Sequence, residues 1–165
     1  MRKPLLVAYA TKHESTHEVA EAVAARLRER GVEAEVRPAR DVETLDPYGG
    51  VVIGGALYMG RWHRDARHFL SNHRDELTGL PLAVFAMGPL TLEGKDVARS
   101  RKQLDHALAK EPGLEPLTVA IFGGVVDPGK EHFPFTHMDA SDARDWEQIR
   151  AWADSVAALS MPAAV

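Results

Sequence analysis

The sequence contains no cysteine. Disulfides, thiolate nucleophiles, iron–sulfur clusters and cysteine-ligated zinc are therefore excluded. Aromatic residues make up only 7% of the chain, so any local concentration of them stands out. No apolar run is long enough to cross a membrane, and the first, Leu5 to Ala10, is too short for a signal peptide. Neither sign of charge dominates: 20 basic and 24 acidic residues leave a net charge of −4, spread along the chain. That distribution argues against a nucleic-acid or polybasic membrane surface. Repeats, low-complexity tracts and linkers are also lacking. The remainder is an ordinary composition, 45% hydrophobic and 27% charged in 165 residues. It predicts one globular domain spanning 1–165 in the cytoplasm, with 160–165 as a frayed tail.

The most informative stretch runs from Leu5 to Arg30. Leu5-Leu6-Val7-Ala8-Tyr9 is an apolar run without polar alternation, as expected of a strand buried on both faces. Val19, Ala20, Val23, Ala24 and Leu27 follow with helical spacing. Ser15 to Glu18 reads as a capping box with Ser15 at the N-cap, and Gly31 lies just past the helix end. A hydroxyl-rich loop, Thr11-Lys12-His13-Glu14-Ser15-Thr16, thus joins the carboxyl end of a central strand to a helix N-terminus. Free backbone N–H groups and the helix dipole favour an anion there. The loop lacks the glycines of a dinucleotide or Walker motif, and Ala10-Thr11 stand where a phosphoacceptor domain would carry carboxylates. What remains is a set of hydroxyls and amides suited to one phosphate. His13-Glu14-Ser15-Thr16-His17 also fits a His-Glu-x-x-His zinc signature. That motif works only within a helix, and here it straddles a loop and a helix start.

Further along, Val32 to Arg37 alternates apolar and charged residues, which predicts a half-exposed strand near a sheet edge, ended by Pro38. One helical turn is expected within Asp41 to Asp46. Gly50 to Gly55 reads as a buried strand whose last two glycines admit a ligand or backbone closely. Ala56-Leu57-Tyr58-Met59-Gly60-Arg61-Trp62 then offers Tyr58 and Trp62 as walls for a flat ring. The competing reading has Trp62 packing into the core at the start of the next helix. Arg64 to Leu77 reads as a helix burying Ala66, Phe69, Leu70, His73 and Leu77; the five-residue spacing of His63, His68 and His73 does not suit a metal. Leu82 to Met87 is a buried strand ending in Gly88-Pro89-Leu90. Asp96 to Lys110 is a helix with Val97, Ser100, Leu104 and Leu108 inward and a basic face of Arg99, Arg101 and Lys102, able to dock an acidic partner or substrate. Leu117 to Phe122 is the last strand. Val125 to Ala140, with Asp127, His132, His137 and Asp139, matches no standard metal spacing and reads as a lid or partner surface. Asp142 to Leu159 closes the chain as a helix with Trp146, Ile149, Ala153 and Val156 inward.

Buried strands alternating with helices predict a doubly wound three-layer α/β sandwich with five parallel strands. Its order, with the ligand loop after the first strand, is 2-1-3-4-5.

Tyr9-Ala10-Thr11-Lys12-His13-Glu14-Ser15-Thr16-His17-Glu18-Val19-Ala20 resembles the phosphate loop of flavodoxins, and "IGGALYMGRW" resembles the ring-binding loop of the group containing the quinone-linked protoporphyrinogen oxidase. The resemblance covers nearly the whole chain. It departs at Glu14, where the family usually has Gly; a carboxylate there is repulsive to phosphate unless it points outward. The resemblance implies FMN as cofactor. Thr11, Lys12, His13, Glu14, Ser15 and Thr16 would surround its phosphate. Ala56, Leu57, Tyr58, Met59, Gly60 and Trp62 would run along its ring. Met87, Gly88, Pro89 and Leu90 would cover its polar edge. It also implies electron transfer from a reduced substrate, such as a porphyrinogen, to a quinone or other acceptor, and a homodimer among the expected assemblies. An electron carrier without its own substrate and a degenerate non-flavin module are the alternatives. A carrier is expected to be more acidic than this chain. No side chain is singled out as an acid or base.

Overall fold

The computed structural model describes residues 2–11, 14–126 and 141–160. Five parallel strands form the sheet: β1 (Leu5–Ala10), β2 (Ala34–Pro38), β3 (Gly50–Tyr58), β5 (Leu82–Met87) and β6 (Thr118–Phe122), in the spatial order β2-β1-β3-β5-β6. A two-residue strand, β4 (Arg61–Trp62), pairs antiparallel with the end of β3 and sits off that path. Without β4 the order is the expected 2-1-3-4-5. The half-exposed strand β2 lies at the edge, as its alternation predicts.

Two apolar layers cover the sheet. On one face, helix α1 (Glu14–Glu29) and helix α5 (Trp146–Ser160) pack with Val7, Val52, Phe85 and Phe122. On the other, α2 (Arg64–Asn72) and α4 (Gly94–Leu108) pack with Leu6, Ile53, Val84 and Ile121. Each strand therefore contributes alternate residues to opposite layers, which is why β1, β3 and β5 read as continuous apolar runs. Val19, Ala20, Val23, Ala24 and Leu27 of α1 are all 0% exposed. Burying each valine or leucine contributes about 1.5–3 kcal/mol. Asp154 of α5 accepts from Arg26 Nε at 2.7 Å and Arg30 Nε at 2.9 Å, tying α5 to α1. The two guanidiniums, Arg26 first, hold that carboxyl well below its usual range.

Several boundaries differ from expectation for identifiable reasons. Helix α1 begins at Glu14, so Ser15 lies inside the first turn instead of capping it. At its other end Gly31 has φ +83°, Val32 N donates to Leu27 O and Gly31 N to Arg28 O, a Schellman motif. Val32 is consumed by that cap, so β2 starts only at Ala34 and runs through Pro38. The turn expected at 41–46 is a 3-10 turn at Ala39–Asp41. The helix expected from Arg64 to Leu77 breaks at His73 into α2 and α3 (Arg74–Leu77). His73 is 7% exposed, with its ring nitrogens 3.1 Å from Glu76 Oε1 and 3.2 Å from Val42 O. This ring anchors the β2–β3 connection, while all five predicted inward residues of the segment are buried. Helix α4 starts two residues early, at Gly94, and α5 begins only at Trp146. The ends of the predicted 125–140 loop are joined by an antiparallel pair, β7 (Val125–Val126) with β8 (Ser141–Asp142). The loop histidines and carboxylates between them lie outside the described residues; of the predicted tail at 160–165, Ser160 is the last residue of α5 and the rest lies outside them.

The largest departure is at β3. It does not stop at Gly55 but continues to Tyr58 and turns through Met59 (φ 53°) and Gly60 (φ 76°) into β4. Two successive residues of positive φ make the tight hairpin turn whose twist matches the strands. Gly54 and Gly55 in β3 admit side chains, not a ligand. A Cβ on Gly54 would lie 1.9 Å from Phe85 Cζ, and one on Gly55 would lie 2.8 Å from Trp62 Nε1.

Two expectations about stability follow from these contacts. Phe85 is fully buried and cannot swing aside, so Gly54→Ala is expected to lower unfolding free energy by about 2–3 kcal/mol in denaturant titration. His63 caps α2, its Nδ1 accepting from Asp65 N at 3.0 Å. Burial pushes its pKa down and Arg64, Arg67 and Arg40 add to this, against Asp65. The unfolded chain then binds a proton that the folded chain resists, so stability contributed above about pH 6.5 is lost as pH falls through the lowered value. His63→Asn keeps an N-cap acceptor without titrating. Its unfolding midpoint should match the parent at pH 8 and exceed it at pH 5.

Candidate functional site

The chain leaves β1 into α1 on one face of the sheet and leaves β3 through the β4 hairpin into α2 on the other. A crevice opens at such a switch point, outside the carboxyl ends of the strands. Four connections meet at this end: the turn before α1, the β3–β4 hairpin, the loop after β5 and the Gly123-Gly124 turn after β6.

The first turn of α1 presents the N–H groups that no helix can pair internally. Within it Thr16 is fully buried, and its Oγ1 makes no hydrogen bond among the described residues. An enclosed hydroxyl without a partner costs about 1–3 kcal/mol. A phosphate oxygen is the partner that this position, beside free amides and a positive dipole end, is suited to supply. Glu14 is exposed, which takes its carboxylate toward solvent, and Thr11 and Ser15 are half-buried. Lys12 and His13 lie outside the described residues, and with His13 the first histidine of the zinc signature. The second histidine, His17, stacks on Tyr9 with centroids 4.4 Å apart and contacts Glu21 Oε1 at 3.1 Å. Burial is the main cause that raises the Tyr9 pKa, and Glu21, Glu14 and Asp41 add to it.

The remaining loops interlock through backbone. Gly88 N donates to Phe122 O, Gly124 N to Pro89 O at 2.8 Å, and Ala143 N to Gly124 O. A Cβ on Gly88 would meet the Leu57 side chain at 2.8 Å, and one on Gly123 would meet Ala143 O at 2.0 Å. The glycines let the ends of β3, β5 and β6 and the approach to α5 pile against one another, and the amides of Gly88 and Gly124 are consumed in these contacts.

The ring-side residues divide. Ala56, Leu57 and Tyr58 are half-buried, while Met59, Gly60 and Leu90 are exposed. Tyr58 and Arg61 are directly opposed in the hairpin, as are Leu57 and Trp62. Because side chains alternate, Tyr58 takes the face opposite Trp62. Trp62 is 1% exposed and its Nε1 donates to Gly55 O at 3.0 Å. It belongs to the core over α2, so the expected second aromatic wall is instead a support beneath the hairpin. Met87 is likewise 2% exposed in the core facing α5, and Pro89 is buried under the loop it shapes.

One contributor is absent from the sequence-based site. Arg144, between β8 and α5, has a side chain only 9% exposed and pairs with Asp142 at 2.7 Å. Its guanidinium reaches Ser15 O at 3.5 Å and Glu18 Oε2 at 3.6 Å, and lies 4.8 Å from the Trp146 ring centroid. It clasps the start of α1 from 129 residues away in sequence, a distance over which no local motif could announce it. The Asp142 carboxylate, first, keeps its guanidinium protonated more firmly than usual.

Among the described residues no three His, Asp or Glu side chains gather closely enough to hold a metal, and no helix is long and apolar enough to cross a membrane.

Comparison with known proteins agrees with this geometry. The flavodoxin domain family model matches residues 6–134. Protoporphyrinogen IX dehydrogenase (quinone) of Escherichia coli K12 is 29% identical over 84 residues, covering 50% of this chain and 46% of that protein. The chain thus matches about half the length of these curated relatives. A short-chain flavodoxin associated with a PDU bacterial microcompartment superposes with a TM-score of 0.65 at 16% identity, covering 98% of this chain and 100% of that one. Oxidised flavodoxin 2 from Bacillus cereus gives 0.64 at 20% identity over 94% and 99%. At such identities the structural likeness establishes the fold. The family match, which spans most of the chain, establishes more: this protein belongs to the flavodoxin domain family.

Proposed function

We propose that this protein is an FMN-dependent oxidoreductase that passes electrons from a reduced small-molecule substrate to a quinone or another acceptor. The observation that carries the proposal is the orphaned Thr16 hydroxyl in the first turn of α1, at the switch point of a flavodoxin fold. Bound FMN would supply reversible electron and hydride transfer at its ring. The protein's own contribution is binding, orientation and exclusion of water. Thr16, Ser15 and the first-turn amides would hold the phosphate. Arg144 fixes the backbone of that turn through the Ser15 carbonyl. Tyr58, on the face of the hairpin opposite Trp62, and the loop after β5 from Gly88 to Leu90 would bracket the ring. The similarity to a protoporphyrinogen dehydrogenase, though partial, makes a porphyrinogen the first substrate to try and a quinone the first acceptor.

The test begins with absorbance and fluorescence during FMN titration of the purified protein. Retention of FMN through dialysis, with its fluorescence quenched, supports the reading; a protein that stays colourless at millimolar FMN refutes it. Thr16→Val provides the sharper measurement. Losing one hydrogen bond to a charged group should weaken FMN binding by about tenfold or more. Removal of an unpaired buried hydroxyl should at the same time raise the melting temperature of the FMN-free protein. A variant with unchanged affinity would show that Thr16 does not meet the phosphate. For the enzymatic part, FMN-loaded protein should generate fluorescent porphyrin from porphyrinogen in step with quinone reduction under anaerobic conditions. FMN binding without turnover would leave an electron carrier.

A further inference from the structure

Along one rim of the carboxyl end of the sheet, arginine is concentrated. Net charge is −4. Yet the hairpin and the start of α2 carry Arg61, Arg64 and Arg67 in succession, each three residues from the last. Arg61 opposes Tyr58 on the outward face of the hairpin, and Arg64 opens α2 in the exposed class. Arg67 donates from Nε to Trp62 O at 2.9 Å, which pins its guanidinium against the hairpin. Burial, then Arg61 and Arg64, push the Arg67 pKa down, as expected where like charges crowd. Arg40, after β2, extends the band to one side; its field reaches both His63 and Tyr9. Arg99 extends it to the other side. It stands one turn before Gln103, whose Nε2 is 3.8 Å from where a Cβ on Gly60 would be. Among the described residues Arg61, Arg64 and Arg99 have no carboxylate within ion-pair distance, and Arg40 only grazes Asp41 at 4.0 Å. Asp41, Asp65, Glu93 and Asp96 are the acidic groups closest to the band in sequence; Glu93 is exposed, and Asp96 accepts from the Thr91 hydroxyl.

Three large apolar side chains stand exposed at the same end: Met59 at 64%, Leu90 at 46% and Leu92 at 42%. They occupy the hairpin tip and the loop after β5, the two walls of the crevice. Exposed methionine and leucine ringed by unpaired arginines is the composition of a protein interface, where Met and Arg are enriched and the rim is charged. A small carboxylate would need one or two converging guanidiniums. This band instead runs from Arg40 across the hairpin to α4, a breadth that suits a macromolecular surface.

We propose that this end of the molecule docks an acidic protein partner, its carboxylates against the arginine band and its apolar centre against Met59, Leu90 and Leu92. The proposal names the partner class of the site described above and rests on the FMN reading only for what passes between the two proteins. Flavodoxin-type carriers with acidic surfaces steer toward basic partners; here the local charge calls for the reverse.

The test is an NMR titration of the isotopically labelled protein, FMN-loaded and FMN-free, with an acidic [2Fe–2S] ferredoxin as probe at low salt. Shift changes should centre on Arg61, Arg64, Met59 and Leu90, and affinity should fall by about tenfold between 20 and 200 mM salt. The double variant Arg61→Glu/Arg64→Glu should weaken the complex by about tenfold or more. Arg99→Glu, on an exposed face of α4, repeats the measurement should the hairpin variant misfold. Shift changes elsewhere, none at all, or a complex indifferent to salt and charge reversal would overturn the proposal. So would citrate, a small polycarboxylate, producing the same shifts at the same concentration. Loss of FMN binding with the surface shifts retained would refute the cofactor reading alone.

Discussion

The parallel pairing of β1 with β3, from Leu5 against Gly50 to Ala10 against Gly55, is the contact on which the rest depends. The two strands lie side by side, yet the chain leaves them toward opposite faces. α1 must cross to the layer it shares with α5, and the β4 hairpin must cross to the layer of α2 and α4. No connection can bridge the gap so made, and a crevice is the geometric consequence. The pairing also demands flatness at its carboxyl end. Gly54 and Gly55 supply it, one yielding space to Phe85 and the other to Trp62. Two large aromatic rings, Phe85 and Trp62, thus pack against these glycines in the two cores, Trp62 as a support where the sequence also allowed a wall.

That inversion explains which parts of the molecule could be read from sequence. Strand and helix identities were legible because burial on one or two faces imposes a period, and β1, β5 and α1 carry it without interruption. The turn between β1 and α1, proposed above to hold a phosphate, stood out in the sequence because its chemistry is local: hydroxyls and a helix start within six residues. Trp62 was ambiguous because an aromatic after a glycine-rich strand has two uses, as a wall or as a support. Only the alternation imposed by the hairpin, which sends Tyr58 and Trp62 to opposite faces, separates them. That hairpin was itself hidden, since Met59 is not a residue that announces a positive φ. A non-glycine residue held there costs about 1–3 kcal/mol, offset by the pairing of β4 and the burial of Trp62 behind it. Arg144 was hidden for a different reason. Its partners at α1 are distant in sequence, and only the docking of α5 against α1, helped by Asp154 with Arg26 and Arg30, brings it near.

Glu14 bears on the electrostatics of this turn. A fixed carboxylate facing a phosphate at 4 Å would cost on the order of 1–4 kcal/mol in a solvated to partly solvated setting. An exposed carboxylate on the first helical residue behaves otherwise. It is screened by water and meets the positive end of the α1 dipole, which favours acidic residues in the first turn. Glu14 therefore stabilises the helix that carries the first-turn amides, and Thr16, not Glu14, is the residue turned inward. The departure from glycine at this position is thus compatible with an intact anion site. Arg144 acts in the same direction, for it holds the first turn by a backbone carbonyl while Asp142 and Glu18 occupy its charge. It orders the turn without adding a net cation to it.

The charge of the two rims follows from the same architecture. On the α1 side of the crevice the charged groups are largely engaged: Glu18 and Asp142 with Arg144, and Glu21 with His17. On the α2 side the hairpin and the first turn of α2 present Arg61 and Arg64, which form no ion pair among the described residues, although Asp65 follows Arg64. A basic residue at the N-terminus of a helix opposes the dipole and weakens the helix slightly. Arg64 occupies that unfavourable position, and a crowded row of like charges around it adds repulsion. Neither feature is required by the fold, since the hairpin turn needs only positive φ and α2 is held by Ala66, Phe69 and Leu70. A rim of this kind, costly to the isolated chain, suits the acidic partner proposed above. Carboxylates supplied from outside would relieve both the crowding and the adverse dipole, and would do so at the edge where Met59 and Leu90 leave apolar surface in water.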